Sequence, residues 1–193
     1  MVYQLNSEKT MLDFLKEQTK TIHNNVEGTN LAKYIMDGSM SLEQYKTYLI
    51  QNYHSYKAVE DALVLNKGII REDLHSFINS NKSDHLFKDL KNLAVNNIPE
   101  NSKEITFDSE VEAIAALYVI QGSMIGGNMI SKKLRTCPEL KDIETHHFFD
   151  FCVKDSMKLW SNFKTTVNNA NFPESEYEKA LASAKKAFLC FEY

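Results

Sequence analysis

From Ala113 to Ser131 the chain carries no Asp, Glu, Lys or Arg, and within that run Gly122, Gly126 and Gly127 share six residues. An uncharged stretch of this length is buried, either in lipid or at the centre of a fold. The small-xxx-small spacing Gly122-x-x-x-Gly126 suits a transmembrane helix pair. However, Gln121, Ser123, Asn128 and Ser131 interrupt the run, and the flanking segments are amphipathic. The expectation is therefore a buried central helix with no membrane partner. Each interior glycine costs a helix about 1 kcal/mol relative to alanine, so three so close together call for a purpose. Missing Cβ atoms let another body reach the backbone, and the weakened hydrogen-bond ladder lets the helix kink. That body is a neighbouring helix or a flat ligand, and spacing does not separate the two. Without a preceding strand, G-x-x-x-G-G is a poor dinucleotide-binding fingerprint.

Elsewhere the 193 residues are short of helix breakers, with six Gly and three Pro in all, about half of ordinary usage. Few tight turns favour long helices over many short strands, and no alternating apolar/polar pattern of a sheet is present. A first helix is expected from an N-cap at Ser7 to about Asn25, and a short one over Asn30 to Met36 between Gly28 and Gly38. Ser41 and Gln44 form a capping-box pattern that opens a long helix to about Leu65, closed by Gly68. Arg71 to Val95 reads as shorter helical pieces and Asn96 to Phe107 as a polar loop. The central helix opens at Asp108 or Ser109 and stops at Arg135, before Cys137-Pro138. Two more helices cover His147 to Asn168 and Pro173 to Phe191. The fold class read from this pattern is all-α, one domain over 1–193.

Lys plus Arg number 22 against 26 Asp plus Glu, a net charge of −4, which gives no electrostatic reason to expect nucleic acid or an anionic membrane as partner. Cys137, Cys152 and Cys190 are an odd, widely spaced set, so neither a disulfide framework nor a zinc site is expected. With no cationic and apolar leader pattern in MVYQLNSEKT, the expected location is the reducing cytoplasm.

Four stretches carry candidate chemistry. His23 lies on the apolar stripe of Leu12, Leu15, Thr19, Ile22 and Val26, with Glu27 one turn on to accept an imidazole N–H. That arrangement suits a metal ligand held in one tautomer, and equally a core histidine satisfied by a carboxylate. The central run Tyr118-Val-Ile-Gln-Gly-Ser-Met-Ile-Gly-Gly-Asn128 is the second. Tyr53, Tyr56 and Glu60 share one helical face as the third, a pattern common in cores with satisfied hydroxyls. Ala184-Lys-Lys-Ala-Phe188-Leu189, an amphipathic end with an aromatic anchor, is the fourth. His146-His147 are expected to be exposed, and His54, His75 and His85 show no ligand-like pairing.

In this order and spacing, the four stretches resemble the heme oxygenases from residue 12 to 189. Leu15 to Glu27 is similar to the family's proximal helix, with His23 as the heme-iron ligand and Glu27 as its hydrogen-bond partner. Tyr118 to Gly127 is similar to the glycine-rich distal helix in its bacterial form. The resemblance implies a helical bundle holding heme, both cofactor and substrate, between a proximal and a kinked distal helix. Heme would be converted with O2 and electrons to biliverdin, CO and free iron. The electrons would come from an external donor, a ferredoxin, flavodoxin or reductase. A neutral imidazole suits such a site, because a thiolate would push electron density toward O–O cleavage.

On the distal side the resemblance assigns Gly122, Gly126 and Gly127 to close backbone approach, with Tyr56 in the distal water network. Ser123 stands where animal members carry an aspartate that organises that water. Lys16 matches a propionate-contacting lysine and Lys20 lies one turn along. Tyr118 and Phe188 would line the heme, and the cations of the penultimate helix have no clean match in Lys158 or Lys164. Two other readings share these residues. One is a non-catalytic heme-binding protein for storage, delivery or sensing. The other is a different enzyme on the same helical scaffold, which would bind no heme.

Overall fold

The computed structural model describes residues 9–79, 81–101 and 103–193, and every regular element among them is helical. The chain enters helix α1 (Met11–Gln18) at Thr10, where Thr10 and Asp13 form a reciprocal capping box; the expected Ser7 cap lies outside the described residues. At Thr19 the helix bends. The Thr19 hydroxyl takes the Leu15 carbonyl at 2.7 Å, the back-bonding that tilts a helix at threonine. Helix α2 (Lys20–Thr29) runs on past Asn25, so Gly28 sits inside it instead of ending it. Helix α3 (Ala32–Met36) is closed by Gly38, whose φ of +77° is the left-handed cap conformation.

Helix α4 (Leu42–Leu65) opens with the Ser41–Gln44 capping box and ends one turn before Gly68. The Asn66 side chain donates to the Ala62 carbonyl at 2.8 Å there. Two short elements follow, α5 (His75–Ile78) and α6 (Lys82–Asn92). Buried Glu60 of α4 caps α6 from outside: its carboxylate accepts the Lys82 N–H at 2.7 Å, the Ser83 N–H at 3.1 Å and the Ser83 hydroxyl at 2.6 Å. Residues 96–101 and 103–107 form no helix.

The uncharged run becomes α7 (Glu110–Gly122), a 3-10 turn over Ser123–Gly126, and α8 (Gly127–Leu134). The kink therefore falls on the glycine window. Glu112, not a capping hydroxyl, serves the start of α7 by accepting the Asp108 N–H at 2.6 Å. Helices α9 (His147–Asn169) and α10 (Tyr177–Leu189) complete the chain; α10 stops before the expected end at Phe191.

Val111, Ile114, Leu117 and Ile120 of α7 are buried, as are the alanines between them, so α7 is the core about which the other helices pack. Each such side chain contributes about 1.5–3 kcal/mol on burial. Helix α10 lies along α7. Fully buried Ala113 and Ala116 on α7, with Ala180, Ala184 and Ala187 on α10, allow the close approach. The Ser183 hydroxyl sets the register by donating to the Glu112 carbonyl at 2.8 Å.

Helix α9 packs along α8 and against α6. Its first N–H groups, from His147 and Phe148, go to the Asp89 carboxylate of α6 at 2.6 and 2.9 Å. This docking overturns the expectation that His146 and His147 are both exposed. His146 is buried with Nδ1 2.7 Å from the Tyr45 hydroxyl, and His147 is half-buried beside Asn92. Among the described residues no helix is long and apolar enough to cross a membrane.

Candidate active site

The bend at Thr19 decides which side chains of α1 and α2 face inward. Leu12, Leu15, Thr19 and Val26 are buried as the periodicity predicts. His23 is not: its side chain is 47% exposed, and this corrects its placement on the buried stripe. Ile22 and Val26 carry the inward contacts of α2, and His23 lies about 100° round from Ile22. Its Nδ1 is 3.5 Å from a Glu27 carboxylate oxygen, longer than a good hydrogen bond but close enough to orient the ring. The ring packs edge-on against Phe188 of α10, centroids 5.8 Å apart, and Phe188 itself is buried. Lys16 and Lys20 are exposed on the same helices and make no ion pair among the described residues.

At the kink the three glycines separate into different roles. A Cβ on Gly127 would lie 2.5 Å from the Cys152 Cβ of α9, so packing against α9 forbids any side chain there. A Cβ on Gly122 would touch the Trp160 ring at 3.7 Å, an ordinary contact. A Cβ on Gly126 would meet nothing within 4 Å. The neighbouring-helix alternative is thus realised at Gly127, while Gly126 leaves its backbone open.

Ser123, in the 3-10 turn, joins Tyr56 of α4 across 2.7 Å between hydroxyl oxygens. The Ser123 hydroxyl also donates to the Ile120 carbonyl at 3.0 Å, so Tyr56 is the donor of the pair. Burial pushes the Tyr56 phenol well above its ordinary range, and Phe148 and Phe191 pack on its ring at 5.2 and 5.0 Å. Tyr56 is therefore a protonated donor at neutral pH.

Tyr118 ties the two halves together. Burial raises its pKa, and the neighbouring Thr19 side chain of the α1–α2 bend acts in the opposite direction. Its ring lies 5.8 Å from that of Trp160. Gly122 is one turn beyond Tyr118 and His23 is one turn beyond Thr19, so this contact relates the two helical faces. The sequence reading missed Trp160, which wedges between Tyr118 and Gly122; its one signal was being the sole tryptophan. Lys164 lies over the Trp160 ring at 5.7 Å, whereas Lys158 is simply exposed. Buried Cys152, the partner of Gly127, was also missed, having no spacing that marks a packing cysteine.

Two cavities accompany these features. One, of about 340 Å³, lies behind the kink among Phe77, His85, Gln121, Phe151 and Leu159. The other, of about 480 Å³, lies between α2 and α10, lined by Gln18, Ile22, Val26 and Leu189 among others. Neither is lined by His23 or the three glycines; His23 on α2 and Gly126 at the kink are exposed, whereas Gly127 is buried. The residues there suit a heme: an accessible imidazole with one nitrogen turned to a carboxylate, and a stretch of backbone, at Gly126, with room above it.

The sequence model of the heme oxygenase family matches residues 9–193. A heme oxygenase of the alga Porphyra purpurea is 22% identical over 189 residues, covering 90% of this chain and 80% of that protein. The fold is similar to a solved heme oxygenase from Leptospira interrogans, with TM-score 0.76, 21% identity, and 94% and 96% of the two chains covered. It is also similar to one from the cyanobacterium Synechocystis solved in complex with heme, with TM-score 0.73, 20% identity, and 94% and 89% covered.

Proposed function

Since the chain belongs to the heme oxygenase family, we propose that it is a working member, degrading heme with O2 and externally supplied electrons to biliverdin, CO and free iron. The observation that carries this reading is the accessible His23 imidazole, oriented by Glu27 and the Phe188 edge, on a chain whose kinked helix leaves the Gly126 backbone unobstructed. When bound, heme supplies an iron that takes up O2 and the porphyrin carbon that becomes oxidised.

The chain's own residues supply orientation and protons. His23 would hold the heme iron through Nε2, because its Nδ1 side faces Glu27. The Phe188 edge restrains ring rotation. On the opposite side, Gly126 leaves backbone exposed with no side chain to intrude. The Tyr56 and Ser123 hydroxyls, ending on the Ile120 carbonyl, hold their protons at the kink and present no carboxylic acid. Weak, protonated hydroxyls suit a site where early splitting of the O–O bond must be avoided. We assign electron supply to a ferredoxin, flavodoxin or reductase in the cytoplasm.

The test is spectroscopic. Hemin is added, the Soret band is recorded, and a reductant is then added under air. Appearance of a biliverdin spectrum is the expected result. A stable complex that only bleaches overturns catalysis in favour of heme binding alone, and absence of a Soret shift overturns both. His23→Ala is expected to abolish bilin formation.

A further inference from the structure

Neither His23 nor the three glycines line the cavity behind the kink, and the proposed function makes no use of it. Gln121, the residue before Gly122, is 1% exposed and forms part of its lining. The Gln121 side-chain nitrogen donates to the Phe77 carbonyl at 3.0 Å, which fixes the amide and leaves Oε1 as its remaining polar atom. That oxygen is buried without a hydrogen-bond partner among the described residues, and so is Nδ1 of His85 in the same lining. Buried polar atoms are ordinarily paired, because an unpaired one forfeits its hydration for nothing. Two of them around one cavity mark a place that a further molecule completes.

The rest of the lining defines the chemistry of that molecule. Phe77, Phe151 and Leu159 supply apolar walls, and the His85 ring stacks on Phe151 with centroids 4.6 Å apart and planes 15° apart. Burial, with Lys88 and His147 nearby, lowers the His85 pKa, so the ring is neutral at pH 7 and offers one donor and one acceptor. No Asp, Glu, Lys or Arg is among the lining residues, and a charged guest would lose hydration there without a counter-charge. At the exposed mouth stands Asn81, left-handed at φ +46°. It holds the cap position of α6 but makes no capping bond with its side chain, because Glu60 takes the first N–H groups of that helix. Its amide is left for the rim of the cavity. The volume of about 340 Å³ is at the small end of ligand pockets, about 300–1,000 Å³.

We propose that this cavity is a second binding site, for a small uncharged planar molecule whose N–H donates to Gln121 Oε1 while its ring packs among Phe77, Phe151 and Leu159. Cyclic amides and uncharged nitrogen heterocycles have this chemistry. His85 Nδ1 and the Asn81 amide then meet the remaining polar edge of the guest. Leu159 precedes Trp160, and Phe77 packs edge-on against Phe163, whose ring stacks on Trp160. The sole tryptophan of the chain therefore registers an occupied cavity.

The experiment adds isoquinolin-1(2H)-one, a planar lactam with one N–H, and its N-methyl derivative to the full heme-free chain. The lactam is expected to bind saturably by calorimetry, to shift the Trp160 indole N–H resonance, and to give NOEs from its ring protons to the Leu159 methyls. The N-methyl compound is expected to bind about three- to tenfold more weakly, the range of one neutral hydrogen bond. Gln121→Leu, which keeps the bulk and removes the acceptor, is expected to abolish that preference. No saturable binding of the lactam means that water alone serves the two atoms and overturns the proposal. Equal affinity of the two compounds for the unaltered protein, or NOEs to His23 or Gly126 in place of Leu159, overturns it as well. If Gln121→Leu fails to fold, the two compounds on the unaltered protein decide the matter alone.

Discussion

Replacing Gly127 by alanine sets two effects of opposite sign against each other. A helical glycine replaced by alanine gains about 1 kcal/mol from backbone entropy. The new Cβ, however, lies 2.5 Å from the Cys152 Cβ and 3.1 Å from its Sγ, where carbon atoms rest at about 3.5–4.0 Å. No rotamer relieves this contact, because a Cβ is fixed by its backbone. Helices α8 and α9 must therefore part locally by about 1 Å, and overpacking of this kind costs about 1–3 kcal/mol. The net expectation is a loss of up to about 2 kcal/mol, a fall in Tm of up to roughly 8 °C for a chain of this size.

Calorimetry of the heme-free protein measures it, and the partner variants make it specific. Cys152→Ala keeps the offending Cβ and should not rescue Gly127→Ala. Cys152→Gly removes it, so Gly127→Ala on that background should cost nothing, a coupling of about 1 kcal/mol or more between the sites. Gly126→Ala meets nothing within 4 Å and should leave Tm unchanged or raise it, while weakening hemin binding. If Gly127→Ala is as stable as the unaltered protein, the glycine is not there for α9 and the division of roles within the window is wrong.

Other outcomes follow from the same geometry. His23→Ala removes an exposed ring with one aromatic neighbour, so stability should shift by under about 0.5 kcal/mol while the Soret band of added hemin is lost. Tyr56→Phe and Ser123→Ala should each slow bilin formation. Their double-mutant cycle in urea should return a coupling of about 0.5–1.5 kcal/mol for the shared hydrogen bond. Lys82 is buried and its pKa is lowered to about 8, so between pH 8 and its unfolded value near 10.5 the unfolded chain holds the extra proton and stability rises with pH. The rise, on the order of 3 kcal/mol, should be missing from Lys82→Met when urea curves are compared across that window. His146 works in the same direction lower down: burial lowers its pKa from 6.5, so stability falls as pH drops below 6.5. His146→Gln should flatten that slope.

What could be read from the chain beforehand depends on how far each feature's cause lies along it. The Ser41–Gln44 capping box, the left-handed Gly38 and the kink at Gly122 to Gly127 are caused by residues within a turn of themselves, and they are found where the spacing puts them. The division of labour among the glycines is caused by Cys152 and Trp160, about 25 to 40 residues away, and no local pattern encodes it. His23 shows the same limit in reverse. Its spacing matches the buried stripe, but Thr19 spends its hydroxyl on the Leu15 carbonyl and bends the helix, so the stripe continues through Ile22 and Val26 and the imidazole emerges. That exposure is what a ligand requires, since a histidine sealed in the core could reach no iron. The tilt therefore removes the core reading of His23 and leaves its imidazole accessible for the proposed role. It makes Thr19, which carries no reactive group, the residue on which access to the imidazole depends.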